Sequence, residues 1–197
     1  MSCSKNIFKI VHNDLLPKQG CVLISEPFLQ DSYFQRSVVL LVEYVDSRAL
    51  GFVLNKKTDL LVNSFFPELE DMPPMPIYIG GPVCPDRLFF VHTLGDLIIP
   101  DTVQVNENLF FDGDFELLKS YILAGNSIEG NVKFFLGYSG WDKGQLQQEI
   151  TQNSWAISHT NLDIFSAEGE DYWKRSVKLL GKNYENWVKY PKDPYLN

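Results

Sequence analysis

The chain has 197 residues, 45% of them hydrophobic and 14% aromatic, which is enough to bury one core and predicts a single domain over 1–197. The formal net charge of −8 works against nucleic-acid binding, because phosphate contacts need clustered Lys and Arg. No apolar stretch approaches the roughly 20 residues that cross a bilayer, and the N-terminus lacks the apolar run of a signal peptide. We therefore expect a cytoplasmic protein without membrane contact.

Strands are predicted throughout the chain from short apolar runs rich in β-branched and aromatic residues. These runs are 20–25, 37–44, 51–55, 77–79, 88–92, 132–138 and 154–158. The second and third pair antiparallel across a turn at 46–48. Between the first two, Pro27 begins a loop that its aromatic side chains hold against the protein. Four prolines make 58–76 mostly irregular.

Three helices are predicted from apolar spacings of three and four, with capping residues at their ends. They run from Asp114 to Gly125, from Lys143 to about Gln152, and from about Ala167 to Leu180 with Ser166 as the candidate cap. The strand, helix and strand between 132 and 158 permit a βαβ crossover. Residues 1–16 and 190–197 are expected to be peripheral termini.

The segment 135–150 joins a buried-strand pattern to a glycine-rich turn and a helix, and it has two interpretations. In the first, Asp142 is the N-cap and forms a capping box with Gln145, while Trp141 and Leu146 form a hydrophobic staple. In the second, the turn lines a cleft where helix N-terminal amides face an anionic ligand. The Asp142 carboxylate argues against the second, because it would occupy the same donors.

Signatures of catalysis and of metal binding are missing from the sequence. Ser139 is followed directly by Gly140, so the G-x-S-x-G elbow of serine hydrolases is absent. The phosphate-binding glycine patterns do not occur either, which favours a strand-to-strand turn at 80–83 over an anion-binding nest. No metal or cofactor is expected, because His and Cys lack ligand spacing. Cys84 with His92 as its base is one candidate nucleophile, against structural roles for both.

One basic strip is a candidate for nucleic-acid contact. It comprises Lys174, Arg175, Lys178, Lys182, Lys189 and Lys192. Neighbouring acidic residues dilute it, and Glu170 is expected to pair with Lys174 along the helix. The predicted helices are separated by strands, so no helix-turn-helix pair is expected and direct DNA binding is disfavoured.

Several segments together resemble the AlgH/YqgE family of bacterial proteins. The resemblance is carried by 20–25 with Pro27, by Asp31, Phe34, Ser37 and Val38, by Gly51, Leu54, Asn55 and Lys56, by Gly80, Gly81, Pro82 and Val83 with His92, and by 135–150 with Trp155. It implies an α/β (α+β) fold, a single domain whose bifurcated, mostly antiparallel sheet is curled into a pseudo-barrel with flanking helices. This uncharacterised family is often labelled as transcriptional regulators, and the resemblance supplies no catalytic residues.

Three functions follow from these observations. The leading one is a cytoplasmic, non-enzymatic binding or regulatory module for a protein or small ligand, at a surface where 27–37, Asn55 with Lys56, and 137–145 converge. The second is an enzyme of unassigned type, which requires its polar residues to meet in one cleft. This enzyme would use Asp31, Ser37, Asn55, His92 and Glu149. The third is a DNA-binding regulator. The candidate binding surface comprises Pro27, Asp31, Ser37, Asn55, Lys56, Gly80, Gly81, Pro82, His92, Gly137, Tyr138, Gly140, Trp141, Gly144, Gln145 and Glu149.

Overall fold

The computed structural model describes residues 13–160 and 162–192, which form ten strands and three α-helices. The strands are β1 (Val22–Ser25), β2 (Val38–Val45), β3 (Arg48–Val53), β4 (Lys57–Leu61), β5 (Pro76–Ile79), β6 (Val83–His92), β7 (Val103–Asn106), β8 (Leu109–Phe111), β9 (Val132–Trp141) and β10 (Trp155–Ser158). The helices are α1 (Phe115–Leu123), α2 (Gln145–Thr151) and α3 (Gly169–Leu179). Most of the predicted N-terminal peripheral segment and residues 193–197 lie outside the described residues.

The strands form one mostly antiparallel sheet that branches at β9. Its main path is β10-β1-β2-β3-β9-β6-β8-β7, and β5 joins β9 in parallel while also pairing with β4. The last part of β9 pairs with β3, whereas its first part lies between β5 and β6. The branch at β9 makes the sheet bifurcated, as the resemblance implies, and the path stays open at β10 and β7, so the sheet is not closed.

Both faces of the sheet are covered, which explains the continuous apolar runs in the sequence. Because successive side chains of a strand point to opposite faces, Leu40 joins a core cluster with Trp173 of α3, whereas Leu41 joins a second cluster with Leu146 of α2. A third cluster lies where α1 covers the branch of β5, β6 and β9. The strands therefore form a rigid layer that fixes the position of the loops between them.

Glycines allow the turn between β5 and β6 to cross β9 at very short distance. A Cβ atom on Gly80 would lie 2.2 Å from the Gly137 carbonyl oxygen, and one on Gly81 would lie 2.3 Å from the Tyr138 carbonyl group. Gly137 itself has φ +65°, a conformation that favours glycine. The glycines of the predicted binding surface at this point are therefore explained by backbone packing.

The helix termini differ from the predictions. Helix α2 begins at Gln145, two residues later than expected, and its N-cap is Gly144 with φ +80° and no side-chain cap. Only half of the predicted capping box forms, since Gln145 Oε1 accepts a hydrogen bond from the Asp142 amide. Helix α3 likewise begins at Gly169 rather than Ala167, because the chain turns into the helix at Glu168 and not at a Ser166 cap. The Asp114 cap of α1 is confirmed by its bond to the Leu117 amide.

The strand predictions were incomplete in three places. β4 forms inside the proline-rich segment, where the two 3₁₀ helices Val62–Ser64 and Pro67–Leu69 follow it. β7 and β8 were not predicted, and they are only four and three residues long. β9 and β10 are not neighbours, because β1, β2 and β3 lie between them in the sheet. The predicted βαβ crossover therefore does not join adjacent strands.

Candidate functional site

The predicted binding surface divides around the loop 27–37. On one side, the C-terminal end of this loop lies against Asn55 and Lys56 and lines a cleft with them. On the other side, Phe34 packs on the indole ring of Trp141, with ring centroids 6.2 Å apart. The turn 137–145 thus contacts the loop from a different cluster of the core and does not line the cleft.

The cleft has a volume of about 350 Å³ and is lined by the ends of four segments. We call it the Asn55 cleft. It is lined by Gln35, Arg36, Asn55, Lys56, Lys57, Glu168, Gly169, Glu170 and Lys192. Asn55 and Lys56 were named for this surface from the sequence, and Gln35 and Arg36 lie in the predicted loop 27–37; the other five were not assigned to it. Four of its side chains are cationic and two are carboxylates, so its lining is locally positive in a chain of net charge −8.

Asn55 fixes the geometry of the cleft through its buried side-chain amide. Its Oδ1 accepts from the Val38 amide at 3.0 Å, and its Nδ2 donates to the carbonyl oxygens of Arg36 at 3.0 Å and Gly169 at 2.8 Å. The Gly169 amide in turn donates to the Asn55 carbonyl oxygen at 2.8 Å. Asn55 therefore joins the loop 27–37 to the start of α3, and its role is to hold the cleft rather than to react.

Arg36 lies beneath the cleft with only 6% of its surface exposed. Its Nη1 pairs with Glu170 Oε1, its Nη2 donates to the Tyr190 carbonyl oxygen at 2.6 Å, and the guanidinium lies 5.2 Å from the Trp173 ring centroid. Its Nε has no partner among the described atoms. Since Arg36 has φ +49°, the backbone holds an uncommon conformation to place this side chain inward.

Glu170 gathers three cations around one carboxylate. Besides Arg36, it pairs with Lys192 at 2.8 Å and with Lys174 at 3.2 Å, which confirms the predicted pair along α3. Burial alone would raise its pKa, but hydrogen bonds from Lys192, Arg36 and Lys174 lower the pKa of Glu170 to about 2. The carboxylate is therefore charged across the physiological pH range and holds the far wall of the cleft together.

Lys56 differs from its cationic neighbours because no carboxylate among the described residues lies within 4.0 Å of its Nζ. The Nζ donates to the Gln35 carbonyl oxygen at 2.7 Å. Burial lowers the pKa of Lys56, and the positive charge of Lys192 lowers it further against an opposing effect of Glu170. An anion that enters the cleft would stabilise the charged form of an ammonium group in such surroundings.

The remaining predicted residues of the loop 27–37 support its shape. Ser37 is fully buried, where its amide donates to Ser25 Oγ and its hydroxyl donates to the Phe34 carbonyl oxygen, both at 2.9 Å. Asp31 Oδ1 accepts from the amides of Tyr33 and Phe34, which forms a local turn. These contacts give the polar residues of the loop a structural role, so no catalytic role is needed to explain them.

Glu149 of α2 binds two indoles at once. Its Oε2 accepts from Trp141 Nε1 at 2.9 Å and from Trp155 Nε1 at 2.8 Å, while its Oε1 accepts from Gln145. Trp141 and Leu146 belong to the same core cluster, but with Gly144 as the N-cap they do not occupy the positions of the predicted hydrophobic staple. The residues of this turn therefore satisfy buried donors within the second core cluster, which agrees with the folding interpretation of the segment.

The five polar residues of the enzyme hypothesis do not assemble. Asp31, Ser37, Asn55 and Glu149 bond to the separate groups given above. His92 is buried at the end of β6, where its Nε2 lies 2.9 Å from Thr102 Oγ1 and 3.2 Å from the Asp112 carbonyl oxygen. Burial lowers the pKa of His92, and no hydrogen bond joins any two of the five side chains in 13–160 and 162–192. Cys84 and His92 occupy opposite ends of the ten-residue β6, so they cannot act as a pair.

Two of the six residues of the candidate basic strip are engaged by a carboxylate. Lys174 and Lys192 both bind Glu170, and the Arg175 guanidinium lies 5.7 Å from the Tyr172 ring centroid. Strands separate α1, α2 and α3 along the chain, as predicted. The arrangement contains no pair of consecutive helices of the helix-turn-helix type among the described residues.

Within 13–160 and 162–192, no three His, Cys, Asp or Glu side chains lie together as metal ligands would. In the same part of the chain, no helix has both the length and the apolar character needed to span a membrane.

The open, branched sheet with flanking helices and a cleft at its loops defines an α+β protein of a known class. Residues 22–185 match the family described as DUF179, AlgH-like, so the chain belongs to the AlgH-like family. It is 66% identical to a UPF0301 protein of Parabacteroides distasonis and 43% identical to one of Bacteroides fragilis, with each chain covered completely.

Two solved structures share the fold. The AlgH protein of Pseudomonas aeruginosa matches with a TM-score of 0.68 and 28% identity, over 91% of this chain and 98% of that one. The protein DIP2367 of Corynebacterium diphtheriae matches with a TM-score of 0.74 and 22% identity, over 89% of this chain and 94% of that one. The fold expected from the sequence resemblance is thereby confirmed.

Proposed function

We propose that this protein is a cytoplasmic, non-enzymatic binding module that holds a small anionic ligand in the Asn55 cleft and serves a regulatory role. The observation that carries the proposal is Lys56, a half-buried ammonium group at a cleft whose other cations already have carboxylate partners. The regulatory role follows only the label that is often given to the AlgH/YqgE family. The enzyme alternative has less support, because its polar residues bond to separate backbone and side-chain groups and do not meet in one cleft.

The charges of the cleft favour a small ligand with one or two negative charges. Lys57 pairs with Glu168 at 3.2 Å, and both Arg36 and Lys192 pair with Glu170. These two carboxylates would repel a large polyanion, whereas a compact anion can reach Lys56 without displacing them. Charge-assisted hydrogen bonds of this kind are about twice as strong as neutral ones.

The walls of the cleft are rigid before any ligand enters. The Asn55 side chain uses its acceptor and both amide hydrogens on backbone groups of the loop 27–37, the start of β2 and the start of α3, so these segments keep their spacing around it. Because a preorganised site does not need to order side chains on binding, more of the interaction energy remains as affinity.

A titration with inorganic phosphate tests the proposal. Amide shifts in a ¹⁵N-¹H NMR spectrum are expected at 35–37, 55–57 and 168–170 of the wild-type protein. Lys56→Met should weaken phosphate binding at least about tenfold, which corresponds to roughly 1.4 kcal/mol. Lys143→Met is the matched control, since Lys143 is exposed on the turn before α2 and outside the cleft. Equal affinity of the two variants, or shifts confined to other regions, would contradict the proposal.

A further inference from the structure

The amino group of Lys56 lies inside the Asn55 cleft. Its Nζ donates to the Gln35 carbonyl oxygen at 2.7 Å, and the charges of Lys192 and Glu170 both act on it. Gln35, Lys192 and Glu170 all line the cleft, so these three interactions place the nitrogen within it. Lys56 is half-buried rather than enclosed, which allows a small molecule in the cleft to reach its amino group.

The other two lysines of the cleft are held by carboxylates. Lys57 Nζ lies 3.2 Å from Glu168 Oε2. Lys192 Nζ lies 2.8 Å from Glu170 Oε2. A carboxylate partner stabilises the ammonium form, whose nitrogen has no lone pair to react with. Lys56 lacks such a partner within 13–160 and 162–192, and burial is the largest of the effects that lower its pKa. Of the three lysines, Lys56 is therefore the best nucleophile.

The size and charge of the cleft select the electrophile that can meet this nucleophile. The proposed function, on which this step depends, brings a small anion next to the Lys56 amino group. Such an anion can react with an amine only if it also carries an electrophilic carbon, and an acyl phosphate carries both in one compact molecule. A coenzyme A thioester fits poorly, because the cleft measures about 350 Å³ and the carboxylates of Glu168 and Glu170 repel a large polyanion.

We propose that the Asn55 cleft binds acyl phosphates and that these acylate Lys56, which ends anion binding by the cleft. The uncharged nitrogen of Lys56 attacks the carbonyl carbon of the bound molecule. The C–N bond forms, the bond from that carbon to the phosphate oxygen breaks, and the phosphate leaves with the bonding electron pair. Counted from the ammonium form, two protons leave the nitrogen, one to the released phosphate and one to water. The product is a neutral amide, so Lys56 no longer offers a positive charge to an anion.

Incubation of the wild-type protein with acetyl phosphate near neutral pH tests this proposal, with the acetylation of each lysine followed by mass spectrometry. Lys57 is the control inside the cleft, and Lys143 is the exposed control outside it. Lys56 should be acetylated at least about tenfold faster than either control, because it reacts within a bound complex. For the same reason, its rate should saturate with acetyl phosphate and fall on addition of inorganic phosphate. The rate at Lys143 should stay proportional to acetyl phosphate and be unaffected by inorganic phosphate.

A variant that keeps the reacting lysine gives a second test. Lys192→Met removes a charge that lowers the pKa of Lys56, so it should slow acetylation of Lys56 and leave that of Lys143 unchanged. Once Lys56 is acetylated, the affinity of the protein for phosphate should fall at least about tenfold.

The outcomes separate this proposal from the anion site on which it depends. Equal acetylation rates at the three lysines, with phosphate binding intact, would overturn the acylation of Lys56 and leave the anion site. Fast acetylation of Lys56 that neither saturates nor responds to phosphate would overturn it in favour of an exposed reactive amine. Modification by acetyl-coenzyme A but not by acetyl phosphate would overturn the choice of acyl donor. Absence of phosphate binding to the wild type would refute both proposals.

Discussion

Replacing Asn55 with alanine removes the side chain that joins three segments around the cleft. The amide of Val38 and the carbonyl oxygen of Arg36 would both lose their partner inside the protein. The carbonyl oxygen of Gly169 lies closer to solvent, where water can replace the lost donor. We therefore expect Asn55→Ala to destabilise the fold and to loosen the cleft together.

The magnitude follows from the number of groups left unsatisfied. A buried polar group without a partner costs about 1–3 kcal/mol, so the two buried groups together cost roughly 4 kcal/mol. For a protein of this length, that corresponds to a fall in Tm of about 8–16 °C. Since typical stabilities are about 5–15 kcal/mol, this single change removes a large share.

Urea denaturation followed by circular dichroism measures the effect, with Asn108→Ala as the control because Asn108 is exposed in the turn between β7 and β8. Asn55→Asp gives a further check, since it keeps the acceptor for Val38 but turns a carboxyl group toward two carbonyl oxygens. These oxygens raise the pKa of the introduced carboxyl in the folded state. The free energy of unfolding of Asn55→Asp should therefore fall as pH rises through that pKa. A loss below 1 kcal/mol in Asn55→Ala would refute the reasoning.

Three other changes test separate parts of the structure. Glu149→Leu leaves two buried indole N–H groups without an acceptor and should cost about 2–6 kcal/mol in urea denaturation, whereas Glu149→Gln, which keeps an acceptor, should cost much less. Lys133 has a folded-state pKa below its unfolded value. The free energy of unfolding of the wild type should therefore rise above pH 7, by up to about 1.4 kcal/mol per pH unit relative to Lys133→Met. Parallel pH profiles of the two proteins would contradict this. Gly81→Ala forces a Cβ atom to 2.3 Å from the backbone of β9 and should lower Tm far more than Gly95→Ala, whose Cβ meets nothing within 4 Å; similar Tm values would show that the crossing is not tight.

The strands that build the central sheet could be predicted because their apolar runs are buried on both faces. β1, β2 and β5 lie close to their predicted bounds. β4 was not predicted, since its residues are mostly exposed and the segment that follows it is rich in proline. The start of α2 was placed too early, because Gly144 in a left-handed conformation displaces the cap that Asp142 would otherwise provide. Such backbone conformations have no periodic signature in a sequence.

The candidate site was predicted only in part. Family resemblance placed Asn55 and Lys56 on a binding surface, and the structure brings them to a cleft with the loop 27–37. Arg36 lies in the predicted loop but was not named as a site residue, and Glu170 was not assigned to this surface, because 134 positions separate it from Arg36 along the chain. The available signal for Arg36 was its position as a basic residue directly before the predicted buried strand 37–44. The sequence alone did not show that the fold brings the start of α3 against the loop 27–37.

The pKa of Lys56, with and without phosphate, tests the central claim most directly. Side-chain ¹³C-¹H NMR of lysine labelled at Cε reports this pKa, and Lys56→Met assigns the signal. The account predicts that the pKa of Lys56 lies below its ordinary value in the free protein, and that saturating phosphate raises it as the ammonium gains an anionic partner. A pKa of Lys56 that stays unchanged on addition of phosphate would contradict the proposed anion site.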